Sequence, residues 1–94
     1  MSNDTICNAI ATRTVISFIY GNAVRTVEPH ALGYDRAGDL TLSAWQLGGG
    51  SGLGWRDFHF KKMSGITMTD SHFSAPRPGY NPNDSTMARI VCHL

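Results

Sequence analysis

Two β-rich runs meet at a tight turn near the start of this chain, and that arrangement limits the fold more than any other feature. TVISFIY (14–20) is dense in β-branched and aromatic residues, which suit a pleated strand. Gly21-Asn22 is a hairpin turn signal, and VRTVEPHALGY (24–34) continues as a second extended stretch. Pro29 lacks the ladder donor, so this second strand is expected to lie at an edge or to carry a bulge there. Asp35-Arg36-Ala37-Gly38-Asp39 predicts another turn, and LTLSAWQ (40–46) alternates with Leu40, Leu42 and Ala44 on one face. GGGSGLG (48–54) reads as a flexible loop, residues 55–63 as a fourth strand and GITMT (65–69) as a short fifth. A meander of five short strands closes most economically as a small barrel or a strongly bent sheet.

The flanks read as helices. Ser2, Asn3 and Asp4 offer N-cap oxygens, and Ile6, Ala9, Ile10 and Arg13 fall at helical spacing, predicting a helix over about 3–12. SAPRPGYNPND (74–84) is a Pro/Gly-rich connection. Asn83 and Asp84 then cap a predicted C-terminal helix over 84–93, with Met87, Ile90, Val91 and Leu94 as its apolar stripe; a strand for MARIVCHL is the alternative. Ninety-four residues make one domain, 1–94, with its core in 6–69 and its connection at 74–83.

Composition narrows the function. The net charge is +1, so anion binding must come from local gathering of cations and not from a global field. No apolar run approaches the ~20 residues of a membrane helix. The start has no basic region followed by a long apolar core, so no signal peptide is read there. Cys7 and Cys92 lie far apart and form no CxxC pair. A bridge between them and two buried thiols both fit; we adopt buried free thiols and hence a cytoplasmic protein. His30, His59, His72 and His93 have no zinc-site spacing, and the glycine loop lacks phosphate-loop spacing, so no metal or cofactor is expected. Asp35 and Asp39 are explained as turn formers, and no catalytic constellation is read.

WRDFHFKKM (55–63) poses the sharpest question. As a strand it sets Phe58 and Phe60 in line with Arg56 and Lys62. The bland reading is snorkelling, with apolar stems buried and charged heads in water. The functional reading is an anion-binding groove, with aromatic residues such as Tyr20, Trp45, Trp55 or the ring of His30 close by for base stacking.

Residues 6–69 resemble the WYL domain of bacterial transcription regulators. Tyr20, Arg25, Pro29, Gly38, Arg56, Phe58, Lys62 and Met63 fall in that family's order. Leu40-Thr41-Leu42 stands where the family has its Trp-Tyr-Leu triplet, and Lys62 stands for its second Arg. The resemblance implies a mainly β (α+β), Sm-like or SH3-like five-stranded barrel with a short N-terminal helix. It also implies a ligand-sensing module for single-stranded nucleic acid or a nucleotide-like effector, with a regulatory role in transcription or defence. The candidate ligand residues are Tyr20, Arg25, His30, Trp45, Arg56 and Lys62. A second reading, carried by the C-terminal apolar stripe, is an interaction module that forms a homo-oligomer or joins a larger regulator.

Overall fold

A computed structural model describes residues 4–49, 52–81 and 86–94. The order is α1 (Asp4–Thr12), β1 (Thr14–Tyr20), β2 (Ala23–Asp35), β3 (Leu40–Gly48), β4 (Gly54–His59), a 3-10 turn (Phe60–Lys62), β5 (Ser64–His72) and β6 (Met87–His93). The six strands form one antiparallel sheet in the order β4-β3-β2-β1-β5, with β6 added on β2. The chain is therefore mainly β with one N-terminal helix, as the sequence predicts. No helix is long and apolar enough to cross a membrane among the described residues.

β2 organises the sheet. β3 runs along one of its edges from Thr26 to Tyr34. On the other edge β1 takes Ala23 to Val27, and β6 takes Ala31 to Asp35. The predicted break at Pro29 is a bulge, with a register shift between Pro29 and Ala31, inside a central strand. The bulge lets one long strand serve two partners on the same edge. It also changes which residues face inward: Val27 pairs with Gln46 before it, and Leu32 with Leu42 after it.

Three expectations are corrected. The sheet is not closed into a barrel among the described residues, because β4 and β5 end the strand path without pairing to each other. β4 stops at His59 and the chain turns away through Phe60–Lys62, so it is too short to reach across. The C-terminal segment is β6 and not a helix. Its ladder groups find an open edge on β2, and that pairing outweighs the helical spacing of Met87, Ile90 and Val91. The proposed caps Asn83 and Asp84 lie outside the described residues, as do Ser2 and Asn3 at the start of α1. Finally, Cys7 and Cys92 form a disulfide, so the free-thiol reading is overturned. Pairing of β6 on β2 carries Cys92 beside the helix.

The apolar core lies between α1 and the inner face of the sheet. Ile6, Ala9 and Ile10 of the helix pack on Ile16, Phe18, Val27, Leu32, Leu42, Ala44, Phe58 and Ile66. The predicted stripe holds through Ile10. Arg13 lies beyond the helix end with φ 54, a left-handed residue that turns the chain into β1.

Candidate functional site

Cross-strand register puts two arginines on the inner face of the sheet. Arg25 of β2 pairs with Phe18, and Arg56 of β4 pairs with Ala44. Phe18 and Ala44 belong to the core, so both cations leave the same face. Both are half-buried. Gln46 joins them. It is wholly buried, and its Oε1 accepts a hydrogen bond from Arg25 Nη1 at 3.0 Å. Its Nε2 donates to the carbonyls of Gly49 and Gly52 at 2.8 and 2.6 Å. Arg56 Nη2 reaches the same Gly52 carbonyl at 3.4 Å, and Arg56 Nη1 donates to the Trp55 carbonyl at 2.8 Å. One buried amide thus ties Arg25 of β2 to the β3–β4 loop, and Arg56 reaches the same loop at the Gly52 carbonyl.

Aromatic rings wall the Arg25 side chain. Its guanidinium carbon lies 5.8 Å from the Tyr20 ring centre and 5.9 Å from that of Phe58. Tyr20 and Phe58 stack edge to face at 5.0 Å, and the Tyr20 hydroxyl accepts the His59 backbone N–H. Arg25 has no carboxylate partner among the described residues: its acceptor is the neutral Gln46 amide, and its Nε is buried without one. Its positive charge is therefore eased by rings and a dipole but not neutralised. The glycine loop, expected to be flexible, is pinned at its root by Gln46, and Gly49 sits tight against β2. A Cβ at Gly49 would fall 1.9 Å from the Val24 carbonyl oxygen, and its φ of +84 also demands glycine. Residues 50 and 51 of that loop lie outside the described residues.

Tyr20, Arg25 and Arg56 are the candidates that gather at this mouth. Lys62 does not: it sits exposed on the 3-10 turn, because the fourth strand ends at His59. Phe60 enters that same turn and still packs on the core edge. His30 and Trp45 do not join either. They project from the outer face, where Trp45 pairs with Glu28 of β2 and with Trp55 of β4. Sequence reasoning missed Gln46, a buried amide at the end of an apolar alternation. Its position two beyond Ala44, in step with Leu40 and Leu42 on the inward face, was the available signal.

The outer face is covered by a strap, residues 73–81, that bends at Ser74-Ala75 and turns at Pro78-Gly79. Glu28 is only 4% exposed and holds Arg77 through two hydrogen bonds, Nε to Oε1 at 2.6 Å and Nη2 to Oε2 at 3.0 Å. His30 Nδ1 donates to the Glu28 carbonyl at 2.8 Å, since a carbonyl can only accept. That fixes Nε2 as the acceptor of the Arg77 backbone N–H at 3.0 Å. The His30 ring stacks on Phe73 at 5.4 Å and meets Trp55 at 4.8 Å and Tyr80 at 5.3 Å. Burial lowers the His30 pKa below its usual 6.5 and the Arg77 charge pushes the same way, against the opposing pull of the Glu28 carbonyl and carboxylate.

At the far end of the sheet, ligand-type atoms of Asp35, Asp39 and His59 lie within 4.8 Å of one another. Asp35 Oδ1 accepts the backbone N–H groups of Ala37 and Asp39, as the predicted turn requires. Asp39 pairs with Lys61 at 3.3 Å. Turn formation and that ion pair account for the cluster.

Comparison with protein-family models, with curated proteins and with solved structures finds no match to this chain.

Proposed function

We propose that the chain is a binding module for an anionic ligand, single-stranded nucleic acid or a nucleotide, held at the mouth formed by Tyr20, Arg25 and Arg56. The observation that carries this is the linkage of Arg25 and Arg56, from different strands, through the buried Gln46 amide and the Gly52 carbonyl, with no carboxylate on Arg25 among the described residues. A guanidinium presents a planar fork to phosphate oxygens. The half-buried Tyr20 ring beside it offers an aromatic face of the kind that single-strand binders stack on bases. The ordered likeness of residues 6–69 to WYL domains supports the same reading and extends it to a regulatory role in transcription or defence. No enzymatic step is part of it, and neither is a metal or cofactor.

The homo-oligomer or larger-regulator reading is weaker here. It rests on a helical stripe, and Met87, Ile90 and Val91 instead lie on β6. Cytoplasmic location belongs to the nucleic-acid reading. The Cys7–Cys92 bridge argues against it, because cytosolic thiols are kept reduced. Acid quenching of cells followed by thiol alkylation and mass mapping separates the two: alkylated cysteines favour the cytoplasm, and a protected pair favours an oxidising compartment.

The test of binding is a titration with labelled single- and double-stranded oligonucleotides at two salt concentrations. Saturable, salt-sensitive binding of the single strand supports the reading. Absence of binding at low salt by the folded chain, to oligonucleotides and to nucleoside triphosphates alike, refutes it.

A further inference from the structure

We propose that the outer face of the sheet is a receptor for a short turn-forming peptide with an arginine between two prolines, and that Pro76-Arg77-Pro78 occupies it in cis, with Tyr80 N–H closing the turn on the Arg77 carbonyl at 3.1 Å. The proposal does not rest on the arginine mouth, although Arg56 also lines the cleft beside Trp55 and Tyr80.

Each part of the segment is read by a different group. Glu28, almost wholly buried, takes one edge of the Arg77 guanidinium through both of its oxygens, on Nε and Nη2. The Trp45 ring lies 5.4 Å from the guanidinium carbon, in cation–π range. His30 Nε2 accepts the Arg77 main-chain N–H, and Trp55 Nε1 donates to the Pro78 carbonyl at 3.0 Å. A side-chain fork and two main-chain contacts, all within two residues, are the grammar of short-peptide recognition. The prolines restrict the backbone before it binds, and Pro78-Gly79 sit at the centre of the turn, which lowers the entropy cost of docking. Gly79 passes the edge of Trp55 with φ +92; a Cβ there would sit 3.0 Å from the Trp55 indole nitrogen.

Beyond the buried Phe73, the strap lies on this surface without being part of the core. Ser74, Ala75, Pro76, Pro78 and Gly79 are exposed. An open cleft of about 430 Å³ runs along it past Glu28 and Phe73, and a second of about 190 Å³ lies between Trp55, Tyr80 and Ile90. The cis segment also fits imperfectly. With it in place, Trp45 Nε1 and Tyr80 Oη are buried without hydrogen-bond partners among the described residues. A buried donor left unpaired favours any rearrangement that supplies an acceptor. A partner protein with an exposed proline-flanked arginine presents the same fork and main-chain groups, and can bring such acceptors.

The test uses the full-length chain carrying Arg77→Ala, which removes the guanidinium from Glu28, and a synthetic peptide Ser-Ala-Pro-Arg-Pro-Gly-Tyr with blocked ends. The indole resonances of Trp45 and Trp55 report binding by NMR. The expected result is saturable binding to Arg77→Ala that is lost when Glu28→Gln is added, and lost when alanine replaces the peptide's arginine. The tethered strap competes at an effective concentration on the order of 1 mM, so the wild-type chain is expected to bind at least about tenfold more weakly. Should Arg77→Ala fail to fold, Arg77→Gln replaces it, and the wild-type chain is titrated to several times the strap's effective concentration. No saturation by a folded variant, or binding indifferent to Glu28 and to the peptide's arginine, overturns the proposal.

Discussion

The His30 imidazole accepts the backbone N–H of Arg77 through Nε2 at 3.0 Å, and this bond exists only while that nitrogen is unprotonated. Its other nitrogen is committed to the Glu28 carbonyl. Protonation sets two hydrogens against each other at the strap. It also places a cation among Phe73, Trp55 and Tyr80 and near the Arg77 guanidinium; the Glu28 carbonyl and carboxylate offset it only in part.

Acid is therefore expected to loosen the strap. Burial holds the folded pKa of His30 below the ordinary 6.5, so over the interval between the two values the unfolded chain binds the extra proton. Stability from this group is full above pH 6.5 and is lost as pH falls through the lowered folded value. Urea midpoints measured from pH 8 downward should fall in that window, and His30→Phe, which cannot titrate, should flatten that part of the profile. Both tryptophans of the chain lie beside the strap, so their fluorescence follows its release.

The disulfide joins residues separated by 85 positions, so it restrains nearly the whole unfolded chain. Cys7→Ser with Cys92→Ser is expected to cost about 4–5 kcal/mol if chain entropy dominates. Denaturant unfolding with and without reductant measures it. A variant as stable as the wild type would show that α1 and β6 dock fully without the bridge.

Much of this architecture is legible in the residues. Gly21-Asn22 and the Asp35–Asp39 turn divide β1, β2 and β3 where the structure does, and Pro29 marks its bulge. The C-terminal strand is legible only as the alternative to a helix, because Met87, Ile90 and Val91 satisfy helical spacing and only a vacant edge on β2, a tertiary feature, decides for the strand. The end of β4 at His59 hid for a similar reason: WRDFHFKKM alternates well enough to continue, and nothing local announces the turn. The candidate site shows the same division. Arg25 and Arg56 meet because their strands pair with a common neighbour, β3, in a fixed register. His30 and Trp45 part from them because side chains alternate and the bulge shifts the phase of β2.

Gln46 is expected to hold the mouth in shape. Gln46→Leu keeps the volume but strands the Gly49 and Gly52 carbonyls and the Arg25 fork. The expected cost is about 1–3 kcal/mol for each group that water cannot reach. Thermal or urea unfolding checks the stability, and ligand affinity is expected to fall with it even under conditions where the variant is fully folded. Unchanged affinity in a folded Gln46→Leu chain would mean that the arginines need no such support.

The exposed Lys62 offers an internal control. It carries the same charge as the arginines but lies on the turn beyond β4. Lys62→Ala is expected to shift single-strand affinity far less than Arg25→Ala or Arg56→Ala, because it sits outside the mouth. Equal losses from all three would point to diffuse surface charge.

The most direct measurement is the salt dependence of oligonucleotide binding for the wild-type chain and for Arg25→Ala, Arg56→Ala and their combination. Circular dichroism serves as the check on folding. Each lost phosphate contact is expected to reduce the slope of log affinity against log salt by about 0.7, with the double variant losing both steps. Folded variants that bind with wild-type affinity and an unchanged slope would contradict the assignment of this mouth to an anionic ligand.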